Sequence, residues 1–177
     1  GLIIYFFARR KPAIVNRTFG RLQIISSAWF ALTHGANDGQ KTMGIIVLIL
    51  FSVGLIEELE MPLWVIFAAA AAMGLGTFFG GYKVIKTLGV KVTRLKPYQG
   101  FAAETSGGLM LAVFATLGIP ASTTHAITGT IMGAGAARRK RAVRWRVSRQ
   151  IIFSWVITIP GAAGLGIAFT YIIHLFV

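Results

Sequence analysis

The sequence predicts an all-α, polytopic membrane protein, and three features carry that prediction. Hydrophobic residues make up 55% of the chain against 13% charged. Long stretches, 61–82, 105–137 and 150–177, hold no charged residue. The basic residues behind a formal net charge of +13 crowd into three blocks, 9–21, 83–96 and 138–149, each lying between greasy segments. That composition suits helices buried in hydrocarbon rather than a soluble domain.

The blocks read as cytoplasmic basic loops, because Lys and Arg collect on that side of spanning helices. No stacking aromatics accompany them, so anionic lipid headgroups rather than nucleic acid are the expected counter-charge. With no Cys and three scattered His residues, neither a disulfide framework nor a metal site is expected. The apolar segment 1–8 is followed, not preceded, by basic residues, the reverse of a signal peptide. It reads as the tail of a cut spanning helix, and 1–177 as one transmembrane domain of a longer protein.

Parity fixes the path if all three blocks share one side. Residues 22–56 cross outward, and the acidic turn 57–62 lies outside. Residues 63–82 return, 97–137 leave and come back, and 151–177 exit, with Pro160 expected to kink that last helix. At about 1.5 Å per residue, the 35 residues of 22–56 would be roughly 52 Å long, against a hydrocarbon core of about 30 Å. A broken transmembrane helix is therefore expected, with the break at Gly35-Ala36-Asn37-Asp38-Gly39, where glycines and an Asn-Asp pair disfavour helix. The run 105–137, punctuated by Gly118-Ile119-Pro120, is expected to be a helical hairpin, either re-entrant or fully spanning. Gly76/Gly80 and Gly129/Gly133 fall at GxxxG spacing, which permits close helix packing.

Two polar islands interrupt the apolar chain. Pro120 followed by Ser122, Thr123 and Thr124 reads as a helix start, where hydroxyls and unpaired amides could cradle an anion or simply cap a buried helix. Asn37 and Asp38, at the end of a half-helix, would offer an oxygen cluster for a small cation, or form a turn neutralised by Lys41. Glu104 is the one acid between Glu60 and the C-terminus, and Gly107 and Gly108 would let another helix approach it. It reads either as a proton carrier or as an acid hydrogen-bonded to a neighbouring helix. His34 and His125 read as structural donors or titrating ligands, and His174 as interfacial. HExxH, GxSxG, paired catalytic carboxylates and a Walker-type loop are all missing, so no enzyme is expected.

The islands Gly35-Ala36-Asn37-Asp38 and Pro120-Ala121-Ser122-Thr123-Thr124-His125, with Gly100-Phe101-Ala102-Ala103-Glu104 between them, resemble the inorganic phosphate transporter (PiT) family, in its bacterial low-affinity branch. The match is to the second of two inverted repeats. The resemblance implies one half of an inverted-repeat transporter that moves phosphate, alone or as metal-phosphate, by alternating access in a bacterial inner membrane. It implies phosphate contacts at Ser122, Thr123 and Thr124, coupling by proton or sodium at Asn37 and Asp38, and a transport-essential acid at Glu104. The implied partners are inorganic phosphate, membrane lipids, the missing N-terminal repeat and a second copy in a homodimer. No resident cofactor is implied, only a co-transported proton, sodium or divalent metal. A passive anion channel or pore subunit is the alternative from another class, separable by saturation and gradient coupling.

Sodium-coupled members carry a second Asn after GAND and two intervening residues, where this chain has Lys41. The Lys41 ammonium is expected to stand in for a bound sodium, which points to proton coupling. Phosphate uptake by the intact protein should therefore be indifferent to sodium, and a Lys41→Asn variant should gain sodium dependence; strong dependence before substitution would refute the exchange.

Overall fold

The computed structural model describes residues 12–137 and 139–175, so expectations for 1–11 lie outside the described residues. Every element within them is helical. Helix α1 spans Pro12–Ser52, and α2 (Leu63–Lys86) runs on into a π-helical turn, Thr87–Val92. Helix α3 is Pro97–Thr116 and α4 is Thr123–Ala136; after a 3-10 turn, Lys140–Ala142, α5 covers Trp145–His174.

The expected break in the first long helix is not there. Helix α1 is one element of 41 residues, about 62 Å long. Positive φ among the described glycines occurs at Gly54 and Gly118, so Gly35 and Gly39 keep helical backbone. Two mid-helix glycines cost only about 1 kcal/mol each relative to alanine. Against that, His34, Asp38 and Lys41 fall at i, i+4 and i+3 spacing and meet on one face of the helix. The polar island is thus accommodated along a helix face rather than around a turn, and no half-helix end with free carbonyls forms at Asn37.

The basic blocks are also not simply loops. Residues 12–21 open α1, and 83–92 close α2 and its π turn. The irregular backbone within the described blocks is confined to 93–96 and to the stretch around the 3-10 turn. All three nevertheless gather at one end of the molecule, around a common apolar cluster. Val15 and Phe19 of α1 meet Leu88 and Val92 of the π turn, Tyr98 and Ala102 of α3, and Val143 ahead of α5. Phe19 sits edge-on to Tyr98 and to Phe101, with ring centroids 6.4 and 5.4 Å apart.

The expected hairpin is present. Helix α3 ends where Gly118 takes φ of 67°, and two bonds close the turn: Ile119 N–H donates to the Phe114 carbonyl at 2.9 Å and Gly118 N–H to Ala115 at 3.3 Å. This pattern satisfies carbonyls that a helix end leaves open, and only glycine takes that backbone without strain. Gly54 ends α1 in the same way, at φ of 74°. The return arm, α4, has 14 residues and is about 21 Å long, against about 30 Å for the 20 residues of α3.

Glycines set how closely α3 approaches α1. A Cβ on Gly108 would lie 2.6 Å from Trp29 Cδ1, one on Gly107 3.0 Å from Phe30, and one on Gly100 would collide with the Gln23 amide. The GxxxG pairs behave differently: beyond the adjoining backbone of its own helix, no described atom comes within 4 Å of a Cβ at Gly76, Gly80, Gly129 or Gly133. Among the described residues two helical stretches are long and apolar enough to span a bilayer, Leu63–Val92, which is α2 with its π turn, and Trp145–His174. Helix α5 runs through Pro160 as one element and is exposed almost throughout beyond Ile151. Gly108→Leu should cost about 1–3 kcal/mol by overpacking. In a Trp29→Ala background most of that loss should disappear, which thermal unfolding of the four variants in detergent would measure.

Candidate functional site

Asp38 is the centre of the polar cluster, and its two oxygens are engaged separately. Oδ1 accepts from Lys41 Nζ at 2.8 Å, and Oδ2 accepts from Thr123 Oγ1, across the chain on α4, at 2.9 Å. His34 Nδ1 lies 3.3 Å from Oδ2 without hydrogen-bond geometry, and its ring stacks on Phe30. Lys41 Nζ also donates to the Ala121 carbonyl in the hairpin tip. Two polar links therefore fasten the tip to α1, one from each partner of an ion pair. The pair is neither dry nor fully solvated, with side chains 27% exposed at Asp38 and 33% at Lys41. Its attraction is therefore stronger than that of a surface pair, without the full cost of desolvation.

The three hydroxyls of the second island do not point to one place. Ser122 is the N-cap of α4, its Oγ accepting from the His125 N–H at 3.3 Å. Thr123 is buried and turned to Asp38, whereas Ser122 and Thr124 are exposed. An open cavity of about 320 Å³ adjoins Ser122 and His125, with Met110, Phe114 and Thr130 among its other lining residues. The His125 ring packs edge-on against Trp155 of α5.

Glu104 belongs to a second, separate station. Ser26 Oγ lies 2.5 Å from its Oε2 and Gln23 Nε2 3.4 Å from its Oε1, both reaching over from α1. Ser26 and Asp38 are 12 residues apart on one helix, which is about 18 Å along its axis. The predicted coupling residues thus divide into Asp38 with Lys41 at the hairpin tip, and Glu104 deeper toward the basic end.

Sequence reasoning missed Gln23 and Ser26, although two polar residues at i, i+3 in an apolar helix were a readable signal. It also missed Thr128. Thr128 Oγ1 and Asn37 Oδ1 are buried without a hydrogen-bond partner, and both residues lie on helices that meet at the site. Buried polar atoms are ordinarily paired, which sets these two apart from most of the interior.

The family model described as "Phosphate transporter family" matches residues 6–166. The chain belongs to the phosphate transporter family. Among relatives of this transporter family, a probable low-affinity inorganic phosphate transporter of Rhizobium meliloti (strain 1021) is 50% identical over 92% of this chain and 49% of its own length. One of the same description from Bacillus subtilis (strain 168) is 39% identical over 99% of this chain and 54% of its own. The chain spans about half the length of these relatives. A solved structure titled "The sodium-dependent phosphate transporter" superposes with a TM-score of 0.73 at 32% identity, covering 86% of this chain and 39% of that one. The family is one of integral membrane transporters rather than of enzymes.

If Asp38 holds the tip through Thr123, Thr123→Val should cost about 1 kcal/mol, less than for a fully buried charged bond because the carboxylate is partly wet. Thr123→Ser should recover it. In an Asp38→Asn background, the Val substitution should cost measurably less, as thermal unfolding of the double-mutant cycle would show.

Proposed function

We propose that this chain is one half of a secondary transporter that carries inorganic phosphate, bare or as metal-phosphate, across a bacterial inner membrane by alternating access. The observation that carries the reading is the Asp38–Lys41 pair fastened to the tip of a short hairpin through Thr123 and Ala121. The inverted N-terminal repeat would close the other side of the cavity.

In this reading the hairpin is re-entrant. Its return arm is shorter than a bilayer, and its tip meets α1 at Lys41, 11 residues before the helix ends at Ser52, or about 16 Å. The basic blocks 9–21, 83–96 and 138–149 face the cytoplasm. Phosphate approaches the tip, where Ser122, Thr123 and Thr124 and the first amides of α4 supply donors without any arginine, so binding stays weak enough to release.

The hydroxyl of Thr123 has a single proton, and here it is given to Asp38. It cannot also be given to phosphate. Neutralising Asp38 with a proton or a cation frees that donor and removes a negative charge facing the anion, so the coupling ion binds before phosphate. Lys41 already occupies the place between a carboxylate and a main-chain carbonyl where a small cation would sit, which favours the proton as coupling ion. Glu104 then serves as a proton station between the tip and the basic end.

Uptake of labelled phosphate by the intact protein in liposomes, under imposed proton, sodium and divalent-metal gradients, tests the whole reading. Uptake should saturate and follow an inward proton gradient. Asp38→Asn and Glu104→Gln should each lower gradient-driven uptake at least about a hundredfold, a barrier change near 3 kcal/mol, while leaving the fold intact. Non-saturating flux indifferent to gradients would point instead to a pore.

A further inference from the structure

At the end of the molecule away from the hairpin tip, the residues leading into α3 and those following α4 enclose a cavity of about 360 Å³. Four cations line it, Arg94 and Lys96 on one side and Arg139 and Arg141 on the other. Among the described residues no carboxylate answers them, since both ion pairs are made by Asp38. Glu57, Glu58 and Glu60 sit in the turn beyond the far end of α1, and Glu104 is bonded to Ser26.

The walls of this cavity are built rather than incidental. Gln99 is 4% exposed and spans the base of the hairpin: its Oε1 accepts from the Lys96 N–H at 3.0 Å, and its Nε2 donates to the Ala134 carbonyl at 3.1 Å. The Arg144 N–H donates to the Val92 carbonyl at 2.9 Å and ties the two lining segments together. Thr93, 3% exposed, places a second neutral polar side chain at the wall. Four like charges held around one cavity repel each other, and an anion between them turns that repulsion into attraction.

We propose that this cavity is a binding site for a phosphate-bearing anion, the phosphate group of a lipid headgroup or a free phosphate compound. Three arginines offer forked, two-point bonds to phosphate oxygens and Lys96 a compact charge. Basic pockets at the membrane–water boundary are known places for anionic headgroups. An occupant would grip the chain just before α3 and just after α4, clamping the base of the hairpin whose tip holds Asp38. None of its residues belongs to the Asp38 or Glu104 stations, so the inference stands apart from the transport reading.

The test uses the intact protein with two probes, inorganic pyrophosphate titrated calorimetrically at low ionic strength, and phosphatidylglycerol against phosphatidylcholine in nanodiscs followed by thermal unfolding. A soluble occupant predicts that pyrophosphate binding weakens at least about tenfold in Arg94→Gln/Arg139→Gln/Arg141→Gln, a loss of about 1.4 kcal/mol, and is unchanged in Thr123→Val. A headgroup occupant predicts, whatever pyrophosphate does, a stabilisation by phosphatidylglycerol over phosphatidylcholine that the triple variant loses. The single variants Arg94→Gln and Arg141→Gln, one on each side of the cavity, should each show a partial loss, and unchanged ligand-free unfolding separates that loss from misfolding. If neither probe distinguishes these variants from the parent, or if pyrophosphate binding is lost in Thr123→Val instead, the proposal is overturned.

Discussion

One carboxylate, Asp38, ties the long helix of this chain to the tip of its hairpin. Asp38 stands on the long helix α1, and through Thr123 directly and Lys41 indirectly it holds the tip of the α3–α4 hairpin. Each group in this arrangement needs the others. Lys41 without Asp38 would be an uncompensated ammonium at hairpin depth, and Thr123 would be a buried hydroxyl without an acceptor. The glycine face of α3 serves the same end from below, because Gly100, Gly107 and Gly108 bring the hairpin near enough to α1 for these bonds to form.

The charge distribution follows from the same geometry. Acids are few, and the two that lie within the helices are each spoken for, Asp38 by Lys41 and Thr123, Glu104 by Ser26 and Gln23. Cation-bearing segments 15–21, 83–96 and 139–144 meet around the apolar cluster of Phe19, Val92 and Tyr98, where the ends of several elements come together. Under the proposed function this polarity has a sense, since a negative ligand would have to be attracted, held and let go.

Much of this was legible in the sequence. Uncharged runs gave the helices, Gly118 and Pro120 the hairpin, and the GAND, Glu104 and Ser-Thr-Thr motifs marked Asp38, Glu104 and Thr123, which the fold draws into polar clusters. What sequence could not supply was long-range pairing. The glycines of the first island argued for a break that costs the helix little to avoid, and the hydroxyl partner of Asp38 lies on α4, 85 residues away. The three hydroxyls looked equivalent in sequence, and only the helix start made one a cap, one an inward donor and one an outward group. Glu104 read as isolated because its partners, Gln23 and Ser26, lie on a different helix.

The continuity of α1 decides which part of the molecule is able to give way. A helix without an internal flaw behaves as a rod, carrying Ser26, Asn37, Asp38 and Lys41 in fixed relation to one another. Under the proposed alternating access, the hairpin would slide or swing against that rod, with its compliance at the short connections on either side of α3 and α4. The acid would be the fixed rail of such a machine, and the hydroxyl-bearing tip its moving jaw.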